Sequence, residues 1–419
     1  MNIGIFAWGS RGDVQPFVAL SIELKANGHS VKLFAPENFK DFIESHNIEY
    51  HPLYGNTDDV LYSPEGQRVL QSGNAISLLR LMQKEGKKIQ PLLNKDLLEG
   101  CEKVDYIITS VLCHVWISCI AEKMNKKWGL VTFSPPTTPT KKFPFAGLAF
   151  FNTPIYNKLS HQFVQFMYWT FNKKDINNFR ESISLQPLKS NIVNRLTENN
   201  ILNLYAISPA LIPRPNDWQS NSDITGYLFM LPERENNDNN IPIELSSFLR
   251  GGEPPIYIGM GSMPIPNPGQ FKNIISEILK TTNYRIVFCK GWTVISNLPT
   301  HDNLFTIDYV NHDWLLPKCK VAIIHGGAGT IASCLKAKTP MIITSVFGDQ
   351  PWWGKIIQKK LLGFHIPAKK LTTKKLKELI EIIQSNNFKK NVTEIGGKIK
   401  NENGVTNAVS KINKYFENL

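Results

Sequence analysis

The chain has 419 residues and a net charge of +12, with 42% hydrophobic and 20% charged residues. That length favours two domains, each large enough for a core of its own, and the composition excludes a disordered chain. The six cysteines form no C-x-x-C pair and no run of about 18 apolar residues occurs, which argues against a disulfide frame, a zinc site and a membrane span and for a reduced, cytoplasmic protein.

Residues 3–8 read as a short buried strand, with no leader-like segment before them. The turn "GSRGD" follows, then a helical pattern over 14–27. "HSVKLFAP" is a second strand, "NFKDFIESHN" a helix, "VDYIITS" a strand, "HVWISCIAEKMN" a helix and "WGLVTFSP" a strand. Strands alternating with helices predict a parallel sheet covered on both faces. Residues 141–171 are dense in aromatics and lack a strand period, which predicts one or two inserted helices.

Residues 231–249 open with "LPERENNDNN", a polar, acidic, Asn-rich stretch that reads as a linker. The alternation then restarts with "PPIYIGMGS", "NYRIVFCKG", "NLFTIDYV", "VAIIHGG" and "PMIITSVF", separated by helical stretches. The fold class is therefore α/β, with two facing doubly wound Rossmann-like domains and a cleft between them. The expected boundaries are 1–230, 231–249, 250–395, and a terminal helix within 396–419 that packs back on the first domain.

Much of the basic excess lies in the last third, as in "KKLTTKKLKELIE". The plainer reading is a set of solvated lysine faces. The sharper one is a peripheral contact with an anionic membrane surface or with a nucleotide's phosphates. No nucleic-acid motif accompanies the lysines, so nucleic acid is not an expected partner. The oligomeric state is not legible.

In open α/β sheets ligands bind beyond the carboxyl ends of strands, and three such turns in the second domain are unusual. "GMGSMP" offers glycines and the Ser262 hydroxyl to an anion, or is a tight turn with a serine cap. "IIHGGAGT" ends a buried strand at His325, and Gly327, Ala328, Gly329 and Thr330 lead into a helix. Small residues, backbone N–H groups and a positive helix end then converge, which is a phosphate-binding layout. It is neither a Walker motif nor a G-x-G-x-x-G fingerprint, which counts against a dinucleotide oxidoreductase. "FGDQPWWG" places Asp349 and Gln350 at a strand end, suited to paired sugar hydroxyls or to capping a helix that begins with Pro351. Together the turns suit a nucleotide sugar. No D-x-D pair is present to hold a cation on its diphosphate, so no metal and no cofactor are expected.

"GSRGDVQP", "PPIYIGMGSMP", "HDWLLP", "HGGAGT" and "GDQPWWG" together resemble the family-1 glycosyltransferases of the GT-B fold, over residues 3–363. The similarity is greatest to the sterol glucosyltransferase, glycolipid rhamnosyltransferase and glycopeptide or macrolide glycosyltransferase branch. Residues 141–245 match poorly. The resemblance implies an inverting, metal-independent transfer of a hexose from a nucleoside diphosphate sugar to a hydroxyl of an apolar alcohol such as a sterol, polyphenol or macrolide. UDP-glucose is the first expectation for the donor, and other UDP- or dTDP-sugars follow. It implies that Asp13 is the general base, Ser10, Phe143 and Phe145 lie on the acceptor side, and Gly12, Ser262, His325 and residues 327–330 hold phosphate. Asp349 and Gln350 read the sugar, and Trp292 and Val310 are candidates for the base. Many relatives carry a second histidine where this chain has Ile324.

The residues alone leave Asp13 either as a cap of the helix after it or as a base. The aromatic segment, including Phe143, Phe145, Phe150 and Phe163, is expected to line an apolar acceptor pocket. The competing readings are a nucleotide-sugar hydrolase or epimerase on the same fold, and a non-catalytic ligand-binding relative.

Overall fold

A computed structural model describes residues 1–72, 74–230, 241–261, 265, 267–291 and 298–417. The described residues form two parallel sheets. The first holds β1 (Asn2–Phe6), β2 (Ser30–Pro36), β3 (Glu49–Leu53), β4 (Tyr106–Thr109), β5 (Lys127–Thr132), β6 (Leu202–Tyr205) and β7 (Ser222–Ile224), in the order β3-β2-β1-β4-β5-β6-β7. The second holds β8 (Ile256–Gly259), β9 (Ile286–Cys289), β10 (Leu304–Ile307), β11 (Val321–Ile324), β12 (Met341–Ser345) and β13 (Gly363–Pro367), in the order β10-β9-β8-β11-β12-β13.

Strands such as "VAII" and "MIITS" are buried at every residue, because helices cover both faces of a parallel sheet. Four strands escape the periodicity: β3, β6, β7 and β13. They are short, or carry proline and charge, as "EYHPL" and "SDI" do, and they earn their place from neighbours already in the sheet.

In the first sheet, the helix Arg11–Ala26 turns Val14, Phe17, Val18, Leu20 and Leu24 inward. The C-terminal helix Gly404–Glu417 adds Ala408, Val409, Ile412 and Phe416 to the same core. Polar ties fix it: His29 Nε2 lies 2.8 Å from Asn413 Oδ1, and Lys411 pairs with Asp223 at 2.5 Å. The other face is filled by Phe6, Phe34, Leu97, Ile107, Ile117 and Leu130. In the second sheet, Ile258, Ile275, Phe288, Ile323, Ile342 and Ile380 form the core.

The division of the chain differs from the sequence boundaries. One compact unit comprises Met1–Asp59, Glu85–Arg234 and Glu402–Leu419; the other comprises Val60–Lys84 and Glu235–Asn401. Residues 60–84, expected in the first domain, belong to the second unit, where Leu61 and Leu78 are buried in a small cluster with Phe347. Part of the expected linker is also structured. Ile243–Arg250 is a helix that buries Leu245, and Arg285 lies over its Phe248 ring at 4.2 Å. The sparse apolar residues there serve packing that only the folded unit supplies.

Candidate functional site

The first candidate group sits where β1 gives way to a helix. Gly9 has φ +137, a conformation open to glycine, and Ser10 caps the helix Arg11–Ala26. The helix starts three residues before the apolar pattern does, because Ser10 and Asp13 close its first turn. Ser10 N–H donates to Asp13 Oδ2 at 2.8 Å, and Ser10 Oγ–H donates to the same oxygen at 2.9 Å. A side chain on Gly9 would lie 2.4 Å from Asp13 Oδ2. The glycine thus makes room for the carboxylate itself rather than for an approaching ligand. Burial holds the Asp13 carboxyl above its ordinary range, against the opposing pull of the two Ser10 bonds. Gly12, in the first turn, is exposed. Arg11 Nε donates to Gln15 at 2.9 Å and its guanidinium lies over the Phe42 ring.

β4 neighbours β1, with Thr109 opposite Phe6, so the turns after both strands lie side by side. His114 begins the helix after β4 and its Nδ1 lies 2.6 Å from the Val111 carbonyl; burial lowers its pKa and keeps it neutral. Phe143 and Phe145 are half-buried and flank the His161 ring at 6.2 and 5.8 Å. Phe150 and Phe163, expected in an acceptor pocket, are instead exposed.

The second group lies in the other unit, at the ends of β8, β11 and β12. Gly259 pairs with Ile324 and Ile324 with Ile343, so the three turns emerge side by side. His325 directly follows β11 and is 7% exposed. Its Nδ1 is buried without a hydrogen-bond partner among the described residues. Burial pushes its pKa down to about 4, helped by the nearby His312, so the ring is neutral near pH 7. The helix Ala328–Lys336 follows with Gly327 at its cap, no acidic residue in its first turn, and Gly329 facing open space. The N–H groups of its first turn have no intrahelical partner. A Cβ on Gly327 would stand 2.5 Å from His325 Nε2, and one on Gly261 would stand 2.9 Å from His325 Cε1. Both glycines leave space around the imidazole that any other residue would take. Ile324, at the place of the second histidine, is fully buried.

Gln350 touches this turn: a Cβ on Gly326 would lie 3.5 Å from Gln350 Cβ. Asp349 stands at the cap of the helix Gln350–Lys359, yet its side chain caps nothing. Oδ2 instead accepts from Trp353 Nε1 at 3.0 Å, and burial raises its pKa. Of the Gln350 amide, expected to read the sugar, only the N–H half is left for a ligand. Gln350 is buried, and its Oε1 accepts from Val346 N–H at 2.7 Å and Phe347 N–H at 3.3 Å, so the carbonyl half ties down the turn. Val310, a candidate for the base, has a buried side chain. Ser262 and Trp292 lie outside the described residues.

Two residues were missed in the sequence. His312 is close enough to His325 to lower its pKa, with Nε2 2.8 Å from the hydroxyl of buried Tyr257; it opens the "HDWLLP" motif, which was the signal that could have found it. Trp353 fixes Asp349, and here the i, i+4 spacing was a usable signal. Among the described residues no three His, Cys, Asp or Glu side chains gather as metal ligands would, and no helix is long and apolar enough to cross a membrane.

Two Rossmann-like parallel-sheet units with glycine-lined turns at the strand ends define a glycosyltransferase of the GT-B class. Solved structures share the fold over nearly the whole chain. The glycosyltransferase of kitacinnamycin has a TM-score of 0.73 at 15% identity, covering 98% of both chains, and glycosyltransferase VinC in complex with dTDP has 0.68 at 15%, covering 100% of both. The glycosyltransferase family 28 N-terminal domain matches residues 3–144, and the erythromycin biosynthesis protein CIII-like C-terminal domain matches residues 286–414. Sterol 3-beta-glucosyltransferases UGT80A2 and UGT80B1 of Arabidopsis thaliana are 33% and 32% identical over 99% of this chain, which spans 66% and 68% of their lengths. The sterol 3-beta-glucosyltransferase of Komagataella phaffii is 30% identical over 96% of this chain, which spans 33% of that protein. The chain belongs to this family of sterol-type glycosyltransferases.

Proposed function

We propose that the protein transfers a hexose from a nucleoside diphosphate sugar to the hydroxyl of an apolar alcohol, with UDP-glucose as first donor and a sterol-like lipid as first acceptor. The observation that carries the donor half is the buried, neutral His325 beside the open helix start at Ala328–Thr330. A leaving diphosphate there would meet backbone N–H groups, the positive helix end and the His325 imidazole. This supports a transfer that needs no metal. Asp349 beside the turn supports recognition of sugar hydroxyls, with the amide N–H of Gln350 as its partner and the Gln350 carbonyl as an anchor.

On the acceptor side, Asp13 is the base. Ser10 occupies one carboxylate oxygen, and Oδ1 is left to take the proton of the acceptor hydroxyl. The acceptor oxygen then attacks the anomeric carbon, the bond from that carbon to the diphosphate breaks, and the diphosphate leaves with the electron pair. Attack opposite the leaving group inverts the configuration. A raised Asp13 pKa strengthens the base, which is worth about 10²–10⁴-fold in such reactions. The six cysteines are all free, in keeping with a reducing cytoplasm. A peripheral contact with an anionic membrane would bring the enzyme to a lipid acceptor.

The test is a thermal-shift panel of UDP- and dTDP-sugars, followed by mass spectrometry of products from a mixed alcohol library with and without EDTA. A glucoside formed equally in EDTA is the expected result. Free sugar without any glycoside would replace this reading by hydrolysis.

A further inference from the structure

The first half of the helix Pro154–Ser182 is built inside out. Its protein-facing side chains there are polar: Asn157, Ser160 and His161 are each less than 5% exposed. They are hydrogen-bonded inward. Asn157 Nδ2 donates to the Lys141 carbonyl, Ser160 Oγ accepts from Phe145 N–H, and the His161 ring nitrogens lie 3.3 and 3.2 Å from the Thr137 and Phe143 carbonyls. The outer side carries Ile155, Leu159, Phe163 and Phe166, between 55% and 76% exposed. Spacings of four, four and three put these on one stripe. Phe150 and Phe151, just before the helix, are exposed as well.

A helix at a water interface turns its apolar face to the core. A contiguous apolar face turned outward marks contact with a second apolar phase. The charge around it selects that phase. From residue 141 to residue 174 the sequence holds five lysines and no aspartate or glutamate, and Lys158, Lys173 and Lys174 are exposed on this same helix. Apolar side chains reaching the acyl boundary and lysines snorkelling to phosphates are the two halves of interfacial binding.

We infer that the stripe Ile155–Leu159–Phe163–Phe166 docks on the surface of an anionic lipid bilayer, lying in the headgroup layer without crossing it. The inference rests on the proposed lipid acceptor: it gives the enzyme a seat on the phase in which such an alcohol is dissolved. It also relocates the membrane contact, which charge alone placed in the last third of the chain, to an aromatic helix of the first unit.

Flotation with vesicles of equal parts phosphatidylcholine and phosphatidylserine, free of sterol and donor, tests it. The wild-type protein is expected to float, and Leu159→Ser and Phe163→Ser are each expected to weaken binding about tenfold or more. The double variant Lys158→Glu/Lys173→Glu, or vesicles of phosphatidylcholine alone, should weaken it in a salt-dependent way. UDP-induced thermal shifts equal to wild type show that the variants are folded. Flotation unchanged in the serine variants overturns the inference. So does flotation that appears only when sterol is added, which would make the stripe an acceptor surface. Because neither donor nor acceptor is present, failure of the proposed transfer reaction leaves this result intact.

Discussion

Both polar hydrogens of Ser10 go to one oxygen of Asp13: the backbone N–H at 2.8 Å and the hydroxyl at 2.9 Å from Oδ2. Capping and base catalysis therefore use different atoms of one carboxylate. Asp13→Asn separates them, since an amide oxygen still accepts from Ser10 but takes no proton. The variant should keep its thermal midpoint while kcat falls about 10²–10⁴-fold. Asp13→Ala loses both functions, with a further stability cost of about 1 kcal/mol. An Asn variant with wild-type turnover would refute the base.

Ser10→Ala removes the hydroxyl bond, one of the two that oppose burial at Asp13, and keeps the backbone N–H bond. The carboxyl pKa should rise further, and the acid limb of the kcat profile should move to higher pH. An unmoved limb in a folded variant would mean that another group sets it.

Gly9→Ala forces a methyl group to within 2.4 Å of Asp13 Oδ2 at a φ of +137. The carboxylate has to move. A misplacement of about 1 Å costs about 10²-fold in rate, while UDP affinity, assigned above to the proposed site at His325, should be unaffected. Equal losses in UDP affinity and turnover would point to general unfolding instead.

Gly327→Ala places a methyl group 2.5 Å from His325 Nε2, and His325→Ala removes the ring. Each should weaken UDP binding about tenfold or more, the worth of a hydrogen bond to a charged group. Isothermal titration with UDP reads this directly, and unchanged affinity in His325→Ala would remove the phosphate role.

His325 also sets a pH dependence of stability. Its folded pKa of about 4 lies below the ordinary 6.5, so between these values the unfolded chain binds more protons. The stabilisation from keeping the ring neutral is complete above pH 6.5 and is lost as pH falls toward 4, by up to about 3 kcal/mol. Denaturant midpoints should fall more steeply over that window in wild type than in His325→Gln; parallel curves would contradict it.

The sequence by itself determined the alternation of buried strands and helices and the turns at strand ends. Parallel strands covered on both faces must be apolar throughout, and a turn that leaves backbone close to an anion must be small. "VAIIHGGAGT" and "GSRGD" satisfy those local demands and so are legible. The edge strands β3, β7 and β13 were not, because neighbours rather than composition hold them. Side-chain direction was decided only by the tertiary structure. It turned the Gln350 carbonyl inward onto residues 346–347, sank Val310 into the core, and drew residues 60–84 to the second unit. It also made Asp13 cap its helix with one oxygen while leaving the other without a hydrogen-bond partner among the described residues. The same holds for the helix Pro154–Ser182, where a run of aromatics reads equally as core or as surface. Which side of a helix is buried depends on partners outside the helix, here the carbonyls of Thr137, Lys141 and Phe143 in the irregular segment before it, and these fix its polar side inward and its aromatic side out.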